Sequence, residues 1–211
     1  MKVNKLCLFL TVLLFLAISF RSFACDPPKI VGVYTEVPGQ EFEFDGKSVE
    51  IVEFLSFYCS HCYKFEKSIP VVKGNFPKKI RWKTVPIYWG KGSPKPGEAY
   101  LLAVEEGKGE QMKKAIFEAL FLYGKDIGKI EVLEEVGAKI GLGFDFSTRL
   151  RSDDKSAEAK EKLALANKYS INETPSLIIA GNLKTSPGML NNNMDLLRDN
   201  AILILKNLFK K

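Results

Sequence analysis

The chain has 211 residues, 46% apolar and 27% charged, which fits a soluble globular domain with a sizeable core and excludes an intrinsically disordered protein. Lys2, Lys5 and Arg21 supply three of the 31 cationic residues, and residues 1–24 contain no acid. Beyond residue 24, 28 cations face 25 acids, a net of +3, scattered without a stripe, so nothing points to nucleic acid.

Residues 1–24 read as an export signal: Lys2 and Lys5, an apolar run from Leu6 to Phe20, then small residues around Ser22-Phe23-Ala24. As a helix the run would span about 22 Å, short of the roughly 30 Å of bilayer hydrocarbon, which favours a cleaved signal over a permanent anchor. Cleavage after Ala24 places Cys25 first in the mature chain, where bacterial lipoproteins carry lipid. Ser22 in place of the usual Leu and the nearby Arg21 make plain cleavage the preferred reading and a lipid anchor at Cys25 the second. The product is one domain over residues 25–211, carrying Cys25, Cys59 and Cys62 into an oxidising compartment, while Cys7 leaves with the signal.

After Asp26-Pro27-Pro28, the runs Lys29–Thr35 and Glu41–Phe44 are β-prone around turns at Pro38-Gly39 and Asp45-Gly46. Val49–Phe57 reads as a buried strand and opens into Cys59-Ser60-His61-Cys62 at a helix start, with Pro70 kinking the helix that follows. Lys79–Pro86 reads as the next strand, parallel to the first through a right-handed crossover. From 93 to about 168 helical periodicity takes over, at Ala99–Glu105, Glu110–Tyr123, Ile130–Ile140, Asp145–Leu150 and Ser156–Tyr169. Strand character returns at Pro175–Ala180, turns at Gly181-Asn182 and runs back along Leu183–Thr185. Asn193–Phe209 is a closing amphipathic helix. A β-α-β half, an all-helical insertion and a β-β-α half make an α/β chain of thioredoxin pattern.

The chemistry lies in Cys59-x-x-Cys62. At a helix start the first backbone N–H groups lack intrahelical acceptors and the helix dipole is positive, so a Cys59 thiolate is stabilised and Cys62, one turn on, can close a disulfide onto it. Zinc would need four ligands, and residues 25–211 offer three cysteines and one histidine. A c-type haem would need histidine after the second cysteine, where Tyr63 stands. A structural disulfide closing so short a loop stabilises little. Redox chemistry remains, without metal or any cofactor beyond the Cys59–Cys62 disulfide. His61, the only histidine, lies inside the motif and reads as functional. Glu53 interrupts a run of Ile51, Val52, Phe54 and Leu55 that does not alternate, so it reads as buried.

The segment Phe54-x-Ser56-Phe57-Tyr58-Cys59-x-His61-Cys62-Tyr63-x-Phe65-Glu66 resembles the active site of DsbA-type disulfide oxidoreductases of the bacterial periplasm. Thr174-Pro175, Lys184-Thr185-Ser186-Pro187-Gly188-Met189 and Asn193-Met194-Asp195 are similar to that family as well. The resemblance implies a thioredoxin fold with a helical insertion, Cys59 as the sulfur attacked by client thiolates, and Cys62 as its buried partner. It implies a Cys59 pKa within the range of about 3.5–7.5 that includes DsbA itself. It makes Thr174-Pro175 the cis-proline facing the motif, with Thr174 meeting an extended client strand. It places Glu53 beneath the disulfide as the proton carrier for Cys62, Glu66 as a second acid nearby, and Tyr88 and Trp89 in a client groove. It implies reduced exported proteins as clients, a DsbB-type quinone-linked membrane protein as reoxidant, and a monomer. Ser60 departs from the family's commonest Cys-Pro-His-Cys, and threonine before the proline also occurs in isomerase and reductase relatives, so those directions stay open. Cys25 lies only a few residues before the first β-prone run, which weakens an isomerase with an N-terminal dimerisation domain. A peptide-binding, chaperone-like module with an incidental CxxC is the rival of another class.

Overall fold

A computed structural model describes residues 30–210. The export signal, Cys7 and Cys25 lie outside the described residues. Strand β1 is Thr35–Glu36 and β2 is Val49–Leu55. Helix α1, Ser60–Phe65, passes through a 3-10 turn at Glu66–Ser68 into α2, Ile69–Asn75, and β3 is Ile80–Pro86. The insertion holds α3 (Lys95–Glu105), α4 (Gly109–Phe121), α5 (Ile130–Lys139), α6 (Phe144–Arg151) and α7 (Ser156–Lys168). β4 (Ser176–Ile179), β5 (Leu183–Thr185) and α8 (Met194–Phe209) complete the chain.

The five strands lie in the order β1-β5-β4-β2-β3, with β2 parallel to β3 and antiparallel to β4. This is a thioredoxin fold with a helical insertion between β3 and β4. The parallel pair runs in register from Val49 opposite Ile80 to Leu55 opposite Pro86. Because strand side chains alternate, β2 serves two layers. Val49 and Ile51 pack with Phe65, Ile69, Val72 and the α8 residues Leu197 and Ile204, whereas Val52 and Phe54 pack with Ile178, Val85 and Ala166 of α7. The insertion's core, including Leu102, Met112, Ile116, Phe117, Leu133 and Phe146, is continuous with Leu55, Phe57 and Cys62. The helices therefore pack directly against the end of β2 from which the motif emerges. β3 forms one rim of the sheet and carries exposed Arg81 and Lys83 before ending in Pro86.

Three expectations are corrected. β2 ends at Leu55 rather than Phe57, because Ser56 turns the chain: its hydroxyl accepts the Tyr58 N–H and its carbonyl the Cys59 N–H. Glu41–Phe44 is not a strand, although the Glu43 N–H reaches the Ala180 carbonyl at 2.8 Å. Pro70 stands in the first turn of a new helix after the 3-10 turn, where its missing N–H costs nothing, so it separates two helices instead of bending one.

Candidate active site

Cys59 is the N-cap of α1, in extended backbone with φ −92° and ψ 114°. Its carbonyl accepts the Tyr63 N–H at 3.1 Å and its Sγ accepts the Cys62 N–H at 3.3 Å. An N-cap side chain normally offers oxygen to these unpaired donors; here a sulfur takes that place. Both cysteines are free thiols, Cys59 half-buried and Cys62 buried. Hydrogen bonding with Cys62, against the opposing effect of burial, brings the Cys59 pKa down to about 6, with further help from Thr174 and from the N–H groups of Cys62 and His61. Burial, then the hydrogen bond and charge of Cys59, drives Cys62 well above the ordinary thiol value. At neutral pH one sulfur is a half-exposed anion and the other a sequestered thiol.

The Thr174–Pro175 peptide bond is cis, and the Thr174 carbonyl oxygen lies 3.1 Å from Cys59 Sγ. The preceding residue, Glu173, ties this corner down. Its carboxylate accepts the Ser186 hydroxyl at 2.5 Å and the Gly188 N–H at 3.0 Å, while its carbonyl accepts the Ser176 hydroxyl. Sequence reasoning missed Glu173, whose signal was only its place beside the proline.

Ser56, Tyr58, Trp89, Lys91 and Thr174 surround Cys59 in a shallow groove, and Trp89 is 45% exposed there. Tyr88 is not part of it; its hydroxyl donates to the Gly92 carbonyl, and it lines a neighbouring hollow with Phe57, Pro86 and Pro94. Tyr58 secures the groove's floor by accepting the Ser93 N–H at 3.0 Å. Gly92 stands against that ring with φ +85°, and any Cβ there would strike it. His61 lines a separate polar hollow with Lys64, Lys67, Asn191 and Asn192, and the contribution to Cys59 that accompanies it is that of its backbone N–H.

Behind the motif lies a buried ionic cluster. Glu53, fully buried between Ile51 and Leu55 on the β2 face turned toward α1, accepts the Trp82 indole N–H at 3.0 Å and the Thr84 hydroxyl at 3.4 Å. Glu66 caps α1 by giving its backbone N–H to the Cys62 carbonyl. Lys113 of α4, wholly buried, sets its Nζ 3.6 Å from Glu53, 3.1 Å from Glu66 and 3.5 Å from Glu110. Burial raises Glu66 to about 7 against the lowering influence of Lys113. Burial works against a charged Lys113, yet its three carboxylate neighbours hold its pKa above the ordinary value. Such a charge is tolerated only when paired. Lys113 was missed in the sequence, although 109, 112, 113, 116 and 117 share one face of α4.

The family comparison matches a DSBA-like thioredoxin domain over residues 90–200, more than half the chain. The chain belongs to that family. Its matched stretch covers the insertion, the Thr174-Pro175 corner and the first part of α8, and begins after the CxxC, so the motif and the family match are independent of one another. Proteins named thiol:disulfide interchange protein DsbA are similar to it. That of Azotobacter vinelandii is 27% identical over 161 residues, covering 76% of this chain and 75% of the relative. That of Haemophilus influenzae is 26% identical over 179 residues, covering 82% and 83%. A Pseudomonas aeruginosa DsbA variant superposes with a TM-score of 0.69 at 22% identity, over 83% of this chain and 95% of that one. A Proteus mirabilis DsbA, solved with a non-covalently bound peptide, superposes with a TM-score of 0.67 at 17% identity, over 88% and 100%. The family and the two unequal sulfurs together make this member a disulfide oxidoreductase.

Proposed function

We propose that the protein is an exported oxidase that donates the Cys59–Cys62 disulfide to reduced client proteins through a mixed disulfide. The observation that carries this is the inequality of the sulfurs: Cys59 half-exposed with a pKa near 6, Cys62 buried with its pKa driven up. A client thiolate attacks Cys59 Sγ, the Cys59–Cys62 bond breaks, and its electron pair passes to Cys62, which takes up a proton. A second client thiolate then attacks the client sulfur of the mixed disulfide, and Cys59 departs as a thiolate. Two electrons enter the enzyme, and one disulfide forms in the client. Stabilising the departing thiolate stabilises the reduced enzyme, which makes its disulfide a better oxidant.

Glu53 and Glu66 serve the protonation of Cys62, His61 lends its backbone N–H to the Cys59 thiolate, and Pro175 holds the Thr174 carbonyl against Cys59. Thr174 and Trp89 receive the client chain along the groove, a reading supported by the peptide seen on the Proteus mirabilis relative. Tyr88, though outside the groove, supports its loop through Gly92. The same family reading assigns reoxidation to a DsbB-type, quinone-linked membrane protein and has the enzyme act as a monomer in the periplasm, with residues 1–24 removed and Cys25 unlipidated. The Cys59–Cys62 disulfide is the sole redox group, with no metal or cofactor.

A redox titration against glutathione tests the direction. An oxidase poises well above the roughly −270 mV of thioredoxin. A potential at or below that value, or full oxidase activity in Cys59→Ala, overturns the proposal.

A further inference from the structure

We propose that Lys113 is a positioning residue for the redox site: an ammonium supplied by the helical insertion that binds Glu53 of the sheet to Glu66 at the end of the active-site helix and so fixes the charge behind Cys62. The inference rests on Cys59 and Cys62 being the redox pair.

The sheet provides no cation for Glu53. Its partner across the parallel ladder is Thr84, a neutral hydroxyl, and the remaining contact is the Trp82 indole. The counter-charge comes instead from α4, in the other part of the fold, on a side chain with no exposed surface. The groups facing Lys113 are Glu53 from β2, Glu66 from the 3-10 turn, Glu110 from its own helix, Thr84 from β3 and the Tyr100 phenol from α3. Three carboxylates on one ammonium leave the cluster short of positive charge: Oε1 of Glu53 is buried without a hydrogen-bond partner, and Oε1 of Glu66 has only the Lys113 ammonium, at 3.1 Å. Glu66, raised by burial to about 7, is the carboxyl that can hold a proton near neutral pH. Glu66 is also 21% exposed, beside a groove bounded by Tyr63, Lys67, Pro70 and Glu110, so its proton can be replaced from solvent.

Cys62 requires a proton when the disulfide opens, and Glu66 lies one helical turn from it. When the client thiolate takes Cys59, the electron pair left on Cys62 is neutralised by a proton drawn from this cluster. The carboxylate that remains is held by Lys113, and solvent then restores the proton. Lys113 thus determines the pH at which the cluster gives its proton up. A purely structural ion pair would affect stability and leave that pH unchanged.

The test is the rate at which a cysteine peptide reduces the oxidised full-length protein between pH 5 and 9, corrected for the peptide's own thiolate fraction. Wild type shows an inflection near pH 7 that belongs to Glu66. Lys113→Met removes the lowering influence and moves that inflection up by a full pH unit or more, while Lys113→Arg keeps it within half a unit of wild type. Glu110→Gln, at a position 60% exposed and safe for folding, removes a raising influence and moves it the other way. An unmoved inflection in a folded Lys113→Met, or in Glu110→Gln if the first variant does not fold, overturns the proposal. Failure of wild type to react, or undiminished reaction in Cys59→Ser, would instead overturn the assignment of the redox pair.

Discussion

Cys59 and Cys62 share one short helix, yet one is an anion at neutral pH and the other is not. Of these two sulfurs, alkylation of the reduced protein should therefore modify only Cys59, with a rate that rises through a midpoint near pH 6. Peptide mapping after iodoacetamide treatment checks this; a midpoint near 9, or equal labelling of Cys62, would contradict it. The sequence made this contrast legible, since an apolar strand running into CxxC at a helix start already separates an outer sulfur from an inner one. It did not make Lys113 legible. Lys113 and Lys114 are adjacent and chemically identical, and only packing decides that the first is buried among carboxylates while the second pairs with Glu118 at the surface. The stripe formed by Met112, Ile116 and Phe117 was the available signal, but a lysine on an apolar stripe conflicts with the ordinary cost of burying charge. Tyr88 and Trp89 show the converse: adjacent aromatics after a strand line different hollows, and the sequence does not say which one meets the groove.

Among the elements, α8 does more than cover the sheet. Asn200 accepts the Val33 N–H and donates to the Val33 carbonyl, each at 2.8 Å, and donates also to Thr185 Oγ at 2.9 Å. One side chain thereby stitches the segment before β1 to the helix and to β5. Asn200→Ala should cost about 1–3 kcal/mol in urea denaturation, since the Thr185 hydroxyl is left buried without this partner. Helix packing in the insertion is equally specific. A Cβ on Gly137 of α5 would lie 2.6 Å from the Phe146 ring of α6, so Gly137→Ala should lower thermal stability by forcing the two helices apart, in spite of alanine's better helix propensity. Helix periodicity located all five insertion helices, although α3 is buried nearly all round and α7 fully buries only Ala166. The N-terminal β-prone runs were read less well: only Thr35–Glu36 finds a ladder partner, and strands exist by pairing, which local sequence does not encode.

For the molecule as a whole, the low pKa of Cys59 ties stability to redox state. A thiolate favoured by the fold adds stability in full above the ordinary thiol pKa and loses it as pH falls through about 6. The stability of the reduced protein relative to the oxidised should therefore rise between pH 6 and 9, because in the oxidised form Cys59 has no thiol to ionise. Urea midpoints of both forms across that range measure it, and parallel curves would contradict it.

β3 carries a further consequence. Its outer side is a rim of the sheet, and a bare rim invites any extended chain to add itself as another strand. Here the rim shows Arg81 and Lys83 and closes at Pro86, which has no N–H to offer. If the protein works, as proposed, among half-made, sticky neighbours, it can in this way be touched at one sulfur and adhered to nowhere along that border.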